Sequence, residues 1–509
     1  MATHAPTPEQ EAVYDAVANT TGHVICEAVA GSGKSTTAVQ AVGHVPAGKS
    51  VGFVAFNKSI ANELKDRLGN RATATTLHSH GYAAVRRQAG SGVRIEAGKY
   101  ATILASLRAD WFRFSRFGVP KPGAPAIACL DLIDKLRETL TPWDDKSAIA
   151  DVCDRYDLDT PDATMLATAV QVITRGMEQT AVIDFTDMLW LPVMLGLPLT
   201  RYDVLFCDEC QDFSKLMQEV AVRSGERLVI LGDRNQSIYG FNGADPDAMP
   251  GLMSRLSQSP VGACGTPLTV TFRCPRWHVQ MAQRIVPHIQ AAESADRGEC
   301  FQISSNQLSR LVRSGDLVIG RTNAGLVTTT LGLISQGTPA VMVGRDFGTQ
   351  LAGTVRRMNA GSITELLAKI EQYRDRESNR LESRNASAAR ITALHDRCDA
   401  LTAIAEKHDT VDGMIDGIGR LFADADSPLK TVRVSSIHRA KGTEANAVFM
   451  VDTANIPMRR KEQQPWEVEQ ERNIAYVAVT RGKRQLWFVG SVPTIYGAAD
   501  VRPFTSNAA

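Results

Sequence analysis

Two short stretches of the chain carry side chains able to do chemistry together. Ala28–Thr36 reads AVAGSGKST. In it Ala30, Gly31, Ser32 and Gly33 give a backbone whose N–H groups can curl around phosphate oxygens at the start of a helix. Lys34 can reach the β- and γ-phosphates, the hydroxyl of Ser35 can bind Mg²⁺, and Thr36 follows. The general pattern opens on glycine, and here that position is Ala28. Far downstream, Phe206–Asp212 reads FCDECQD. An apolar strand ends there in Asp208 and Glu209, where open α/β sheets place their ligands. Asp208 can hold Mg²⁺ through water, and Glu209 can orient and deprotonate an attacking water. The two stretches together specify Mg²⁺-dependent binding and hydrolysis of a nucleoside triphosphate.

Such residues need strand ends and helix starts to hold them. Continuous apolar runs predict strands at Val24–Val29, Val51–Ala55, Val204–Asp208, Leu228–Gly232, Leu268–Phe272, Leu317–Gly320, Ala340–Val343, Val432–Ser436, Val448–Val451 and Leu486–Val489. Runs without polar alternation suit parallel strands covered on both faces, and the helical patterns between them imply α/β units. Two stretches break the alternation, 88–195 and 345–429. Spacings such as Leu130, Ile133, Leu136 and Leu140 predict helices throughout the first, and Ile363–Tyr373 predicts a helix in the second. Ser257–Pro267, rich in Ser, Gly and Pro, is the expected hinge between two α/β halves.

Length and composition set the frame. A chain of 509 residues exceeds one ordinary core. Its hydrophobic content of 44% and charged content of 22% are those of a soluble globular protein. No apolar run approaches membrane-spanning length and the N-terminus lacks a signal-peptide pattern, so a cytoplasmic protein without membrane association is expected. Net charge of +1 neither calls for nor excludes nucleic acid, because a DNA-tracking groove needs only local charge and aromatic platforms. Nine cysteines without framework spacing suit a reducing compartment. Cys207 and Cys210 form a C-x-x-C that no second pair completes, and they are expected in the core beside the acids.

Further motifs fall in a fixed order. TPEQ carries Gln10; FVAFNKSIANEL spans Phe53–Leu64; TTLHSHGY spans Thr75–Tyr82; DFTDML spans Asp184–Leu189. LGDRNQSIYGFNGAD (Leu231–Asp245), LTVTFRCP (Leu268–Pro275), VSSIHRAKGTEANAVFM (Val434–Met450) and RNIAYVAVTRGK (Arg472–Lys483) follow. With the phosphate loop and DECQD, this set resembles the superfamily 1 DNA helicases of the UvrD/Rep type over most of the chain. The FNKSIA and LHSHGY wording is similar to the F-box DNA helicase branch. The resemblance implies an α/β fold of two RecA-like parallel-sheet P-loop NTPase domains, each with a helical insertion. Domain 1A would occupy 1–87 and 196–260, insertion 1B 88–195, domain 2A 261–344 and 430–509, and a short insertion 2B 345–429.

Roles follow from the resemblance residue by residue. Gln10 would read adenine, Phe272 would stack on it where the family usually has tyrosine, and Glu444 would contact ribose or assist coupling. Gln236 would sense the γ-phosphate, and Arg273 and Arg481 would act as arginine fingers. DNA contacts are expected from Phe56, Asn57, His78, Tyr239, Phe241 and His438, with Phe241 where the family usually has tryptophan. Thr36 stands where the family often has arginine, so selectivity for adenine is expected to be relaxed. No fused nuclease is expected after Arg481, and Tyr496 in TIYG is either a strand-separating pin or an ordinary packed tyrosine.

The expected activity is ATP-dependent 3′→5′ translocation on single-stranded DNA with unwinding at single/double-strand junctions, in DNA repair, recombination or replication. The alternatives are a translocase that strips bound proteins without efficient unwinding, and a non-motor P-loop ATPase switch.

Overall fold

Apolar runs with no polar alternation become strands buried on both faces. The computed structural model describes residues 5–55, 57–114, 120–156, 158–238, 247–383, 386, 388–423, 431–461, 463–497 and 501–504. The chain divides into two units, Met1–Ala28 with Gly33–Leu268, and Val29–Ser32 with Thr269–Ala509.

The first unit holds a six-stranded sheet of β1 (His23–Glu27), β2 (Val51–Ala55), β3 (Thr73–Thr76), β4 (Tyr202–Cys207), β5 (Gly225–Gly232) and β6 (Ala263–Gly265). Its order is β6-β1-β5-β4-β2-β3 and every pairing is parallel. Alternate residues feed two cores. Cys26, Phe53, Phe206, Val229 and Leu231 pack with Val13 and Val17 of α1 (Pro8–Asn19) and Ala38 and Ala41 of α2 (Lys34–Val42). Ile25, Val54, Leu205, Cys207 and Ile230 join the core that also takes in Leu104, Ile133, Ile173 and Trp190.

Those last residues belong to the stretch 88–195, which contains the helices Lys99–Leu107, Ala124–Thr139, Lys146–Tyr156, Ala163–Glu178 and Asp187–Met194. The stretch is not helical throughout. Arg94–Ile95 pairs with Val182–Ile183, and Phe112–Phe114 pairs with Pro120–Pro122. Strands of two or three residues are too short to show a period in sequence. A buried ionic cluster ties the helices together. Arg137, 1% exposed, donates to Asp184 at 2.8 and 3.1 Å and to Asp187 at 3.1 Å, and lies 3.7 Å from the Tyr100 ring centroid. Lys99 Nζ reaches Asp187 at 2.6 Å. The two acids of the DFTDML motif therefore anchor the insertion.

The second unit holds an eight-stranded sheet of β7 (Glu299–Ile303), β8 (Leu317–Gly320), β9 (Ala340–Val343), β10 (Phe422–Ala423), β11 (Val432–Ser436), β12 (Ala445–Met450), β13 (Gly482–Val489) and β14 (Arg502–Pro503). The order is β10-β9-β11-β8-β12-β13-β7-β14, again all parallel. Between β9 and β10 run the helices Arg345–Met358, Ile363–Glu382, Ala388–Ala405 and Val411–Leu421.

Two expectations need correction, and a third that stood open is decided. Ser257–Pro267 contains β6, a parallel partner of β1, and the division between units falls just beyond it at Leu268–Thr269. Its small residues masked a short edge strand. The strand expected at Leu268–Phe272 shrinks to Val270–Thr271 and pairs with Gln290–Ala291 outside the main sheet. Tyr496 is 3% exposed and its hydroxyl donates to the Ala475 carbonyl at 2.7 Å, so it packs inside the second unit instead of presenting a pin.

Gly81 shows how tightly the first unit is built. It sits in the helix Leu77–Ala89, where a Cβ would lie 2.1 Å from the Met188 carbonyl oxygen. Backbone cannot yield as a flexible side chain can. Gly81→Ala is expected to destabilise the first unit by roughly 1–3 kcal/mol, read as a lowered thermal transition; an unchanged melting curve would refute the close approach.

Candidate functional site

Three strand ends and one helix start converge in the first unit. β1 runs into the phosphate loop, where Gly31 (φ +74°) and Gly33 (φ +79°) take the left-handed backbone that glycine tolerates. Gly33 stands at the N-cap of α2 and brings no side-chain cap, which leaves the helix start open to an anion. The Ser32 hydroxyl is buried with no hydrogen-bond partner among the described residues. Buried polar groups are seldom left unpaired, so an acceptor such as a phosphate oxygen suits this position.

Lys34 lies at the centre. Its Nζ is 2.8 Å from Glu209 Oε2 and 3.5 Å from Asp208 Oδ1, and its side chain is 12% exposed. Burial works against the ammonium, but Glu209 and then Asp208 outweigh it and hold its pKa well above the ordinary lysine value. Burial pushes the Asp208 carboxyl upward, with Lys34 opposing. Ser35 Oγ donates to Asp208 Oδ2 at 2.7 Å. The pair Ser35 and Asp208 is a hard-oxygen donor set of the kind Mg²⁺ takes together with phosphates and water. The residues present fit a Mg²⁺–nucleotide: Ser35 and Asp208 would hold the metal, which supplies charge neutralisation at the phosphates.

Glu209 has φ +57°, uncommon outside glycine. Its carboxylate accepts from Gln211 Nε2, and the Gln211 Oε1 accepts from the Asp233 backbone N–H at 3.1 Å. Asp233 Oδ2 in turn accepts from Gln236 Nε2 at 2.7 Å. A continuous polar chain thus runs from Lys34 through Glu209, Gln211 and Asp233 to Gln236. Asp212 is buried beside Gln211. Asp233 was not foreseen, although it ends β5 as Asp208 ends β4 and carries the same signal of an acid after an apolar run. Cys210 Sγ donates to the Cys207 carbonyl at 3.1 Å; both thiols lie in the core, as the C-x-x-C was read.

Gln10 stands beside this loop. Its Oε1 accepts from Thr7 N at 3.0 Å in the capping box of α1, and its Nε2 donates to Thr37 Oγ1 at 3.0 Å. Thr36 points outward, exposed.

In the second unit Phe272 is 49% exposed, open for stacking. Arg273 Nε donates to Glu444, whose other oxygen pairs with Lys483. Burial alone would raise the Glu444 carboxyl; Lys483 and Arg273 overcome it and hold it below the ordinary carboxylate range. Arg481 is 1% exposed and donates to Val477 O at 2.9 Å, Thr480 Oγ1 at 3.0 Å and Thr443 O at 3.3 Å. Burial, and then the charge of Arg273, pull its pKa down to about 10, which leaves it cationic at neutral pH. Lys483 was missed by sequence reasoning, though it stands only two residues after Arg481.

The expected DNA-contact residues divide. Phe56, Tyr239 and Phe241 lie outside the described residues. Asn57 is exposed and caps the helix Lys58–Leu68 by accepting from Ile60 N at 2.9 Å. His78 is half-buried in the first turn of its helix, with its pKa lowered by burial. His438 is half-buried in the second unit; burial, then the charge of Arg321, lower its pKa to about 3, so it is a neutral hydrogen-bonding group at physiological pH. Arg321 itself is held by Glu471 through bonds of 2.6, 3.1 and 3.2 Å. Among the described residues no helix is long and apolar enough to cross a membrane, and no cluster of His, Cys, Asp and Glu forms a metal site of three or more such ligands.

Comparison with known proteins agrees with this geometry. Residues 8–255 match the UvrD/REP helicase N-terminal domain, and residues 358–491 match the UvrD-like helicase C-terminal domain. The chain is 25% identical over 569 residues to the ATP-dependent DNA helicase UvrD2 of Mycobacterium tuberculosis, an alignment covering 93% of this chain and 77% of that one. It is 22% identical over 544 residues to F-box DNA helicase protein 1 of Schizosaccharomyces pombe, covering 96% of this chain and 58% of that protein. It is 24% identical over 270 residues to the ATP-dependent DNA helicase PcrA of Staphylococcus aureus, covering 48% of this chain and 35% of that one. The chain belongs to the UvrD/Rep family of superfamily 1 DNA helicases.

Proposed function

We propose that this chain is a Mg²⁺-ATP-driven motor that moves 3′→5′ along single-stranded DNA and separates duplex at single/double-strand junctions. The observation that carries the reading is the polar chain Lys34–Glu209–Gln211–Asp233–Gln236, which links the group that would meet the γ-phosphate to the start of the QSIYGF segment. Glu209 would orient and deprotonate water. Lys34 would leave its carboxylates for the phosphates, Ser35 and Asp208 would hold Mg²⁺, and Gln236 would report γ-phosphate occupancy toward the DNA. Gln10 and Phe272 would hold adenine, with Glu444 at the ribose. Arg273 and Arg481 would neutralise charge on the transferred phosphoryl group, as guanidinium groups do in phosphoryl transfer. Closure of the two α/β halves on ATP and release after hydrolysis would then advance the strand, gripped by Asn57, His78, His438 and the aromatic residues.

One observation favours a second reading, a translocase that clears proteins from single strands with little unwinding. Tyr496, the candidate pin, is buried and hydrogen-bonded. The similarity to the F-box DNA helicase fits either activity.

Three measurements test these readings. DNA-stimulated ATP hydrolysis is expected to fall on the order of 10²–10³-fold in Lys34→Ala; an unchanged rate would sink the proposal. Glu209→Gln keeps a hydrogen-bonding side chain without a base, so nucleotide binding should persist while turnover is lost, seen by comparing binding of a fluorescent ATP analogue with phosphate release. Unwinding of 3′-tailed, 5′-tailed and blunt duplexes should favour the 3′ tail. Faster unwinding from a 5′ tail would overturn the polarity, and translocation without unwinding from any tail would select the second reading.

A further inference from the structure

The short ribbon of Phe112–Phe114 and Pro120–Pro122 in the first unit is built against its own stability. The two strands are antiparallel, and their register sets Arg113 directly opposite Lys121. Both side chains are exposed, and neither makes an ion pair among the described residues. Like charges placed opposite each other on a ribbon repel, and a two-stranded ribbon has little stability to spare. From Trp111 to Leu130 the chain carries no acidic residue to relieve them. Nearby, Phe114 is 53% exposed and Ile127 is 48% exposed. At the base of the ribbon the Arg108 guanidinium sits 4.1 Å from the Trp111 ring centroid, held there by Asp110 at 2.7 and 2.9 Å. Phe112, by contrast, is buried and fixes the ribbon to the core.

We propose that this ribbon is a contact surface for single-stranded DNA, in which phosphates of the strand lie between Arg113 and Lys121. A polyanion turns the cross-strand repulsion into attraction, and two exposed cations held opposite each other on one face suit the phosphates of a nucleic-acid strand. The contact rests on the reading of the chain as a motor on single-stranded DNA and adds a grip on the helical insertion, apart from the residues at the nucleotide.

The test uses the full chain carrying both Arg113→Gln and Lys121→Gln. Binding of a fluorescent single-stranded oligonucleotide and of a blunt duplex is followed by anisotropy from low to high salt. Two lost phosphate contacts should lower the magnitude of the single-strand salt slope by about 1.4, equivalent to roughly 25-fold weaker binding at 0.1 M salt if counterion release is the whole effect. The thermal transition of the same variant should hold or rise, since the repulsion is gone; a purely structural role predicts a fall. The charge-preserving exchange of Arg113→Lys with Lys121→Arg should bind like the wild type. Unchanged slope and affinity in the double variant, or a loss confined to the duplex, would overturn the proposal. If the wild-type chain shows no single-strand-stimulated ATP hydrolysis, the underlying motor reading fails first. If it does and the variant binds normally, only the ribbon contact fails.

Discussion

The contact between the Lys34 ammonium and the carboxylates of Asp208 and Glu209 is the constraint around which the first unit is arranged. A lysine taken largely out of water needs counter-charge, and two acids in the same place need a cation. Neither requirement can be met within one element. Lys34 opens α2, whereas the acids follow β4, so the sheet must bring those two chain segments side by side. Parallel pairing does this because every strand ends on the same edge. The same edge receives Asp233 from β5, which lets a third acid join without any further turn of the chain.

The second unit shows a parallel economy with opposite charge. Glu444 is the single carboxylate between Arg273 and Lys483, and its low pKa records how strongly those cations claim it. Arg481 meets another kind of group as well: two backbone carbonyls and a hydroxyl take its N–H groups and fix its direction. The two arginines that the motifs nominate for one role thus differ in the acceptors seen at each, a carboxylate on Arg273 and carbonyl and hydroxyl oxygens on Arg481.

Much of this was legible in the sequence. Apolar runs such as VGFVA and LVIG mark strands with the observed bounds because a strand covered on both faces admits no polar alternation. The phosphate loop and the acids at 208–209 were legible because phosphate chemistry demands those residue types at a strand end. Less legible were features that depend on what lies opposite. The edge strand β6 is too short and glycine-rich to declare itself. The burial of Tyr496 under Phe488 depends on a partner strand, and motif wording alone left pin and packing both open. Asp184 and Asp187 read as a motif of unknown purpose until Arg137 and Lys99, distant in sequence, were seen to meet them.

Glu209 adopts a left-handed backbone that an L-residue with a long side chain rarely takes. Backbone energy at that position would favour glycine or asparagine. What offsets that backbone cost is the 2.8 Å ion pair Glu209 gives to the largely buried Lys34, which glycine could not supply. Relief of the backbone and loss of a buried counter-charge would thus arrive in one substitution, so the strained turn persists because the ammonium across from it cannot spare the carboxylate.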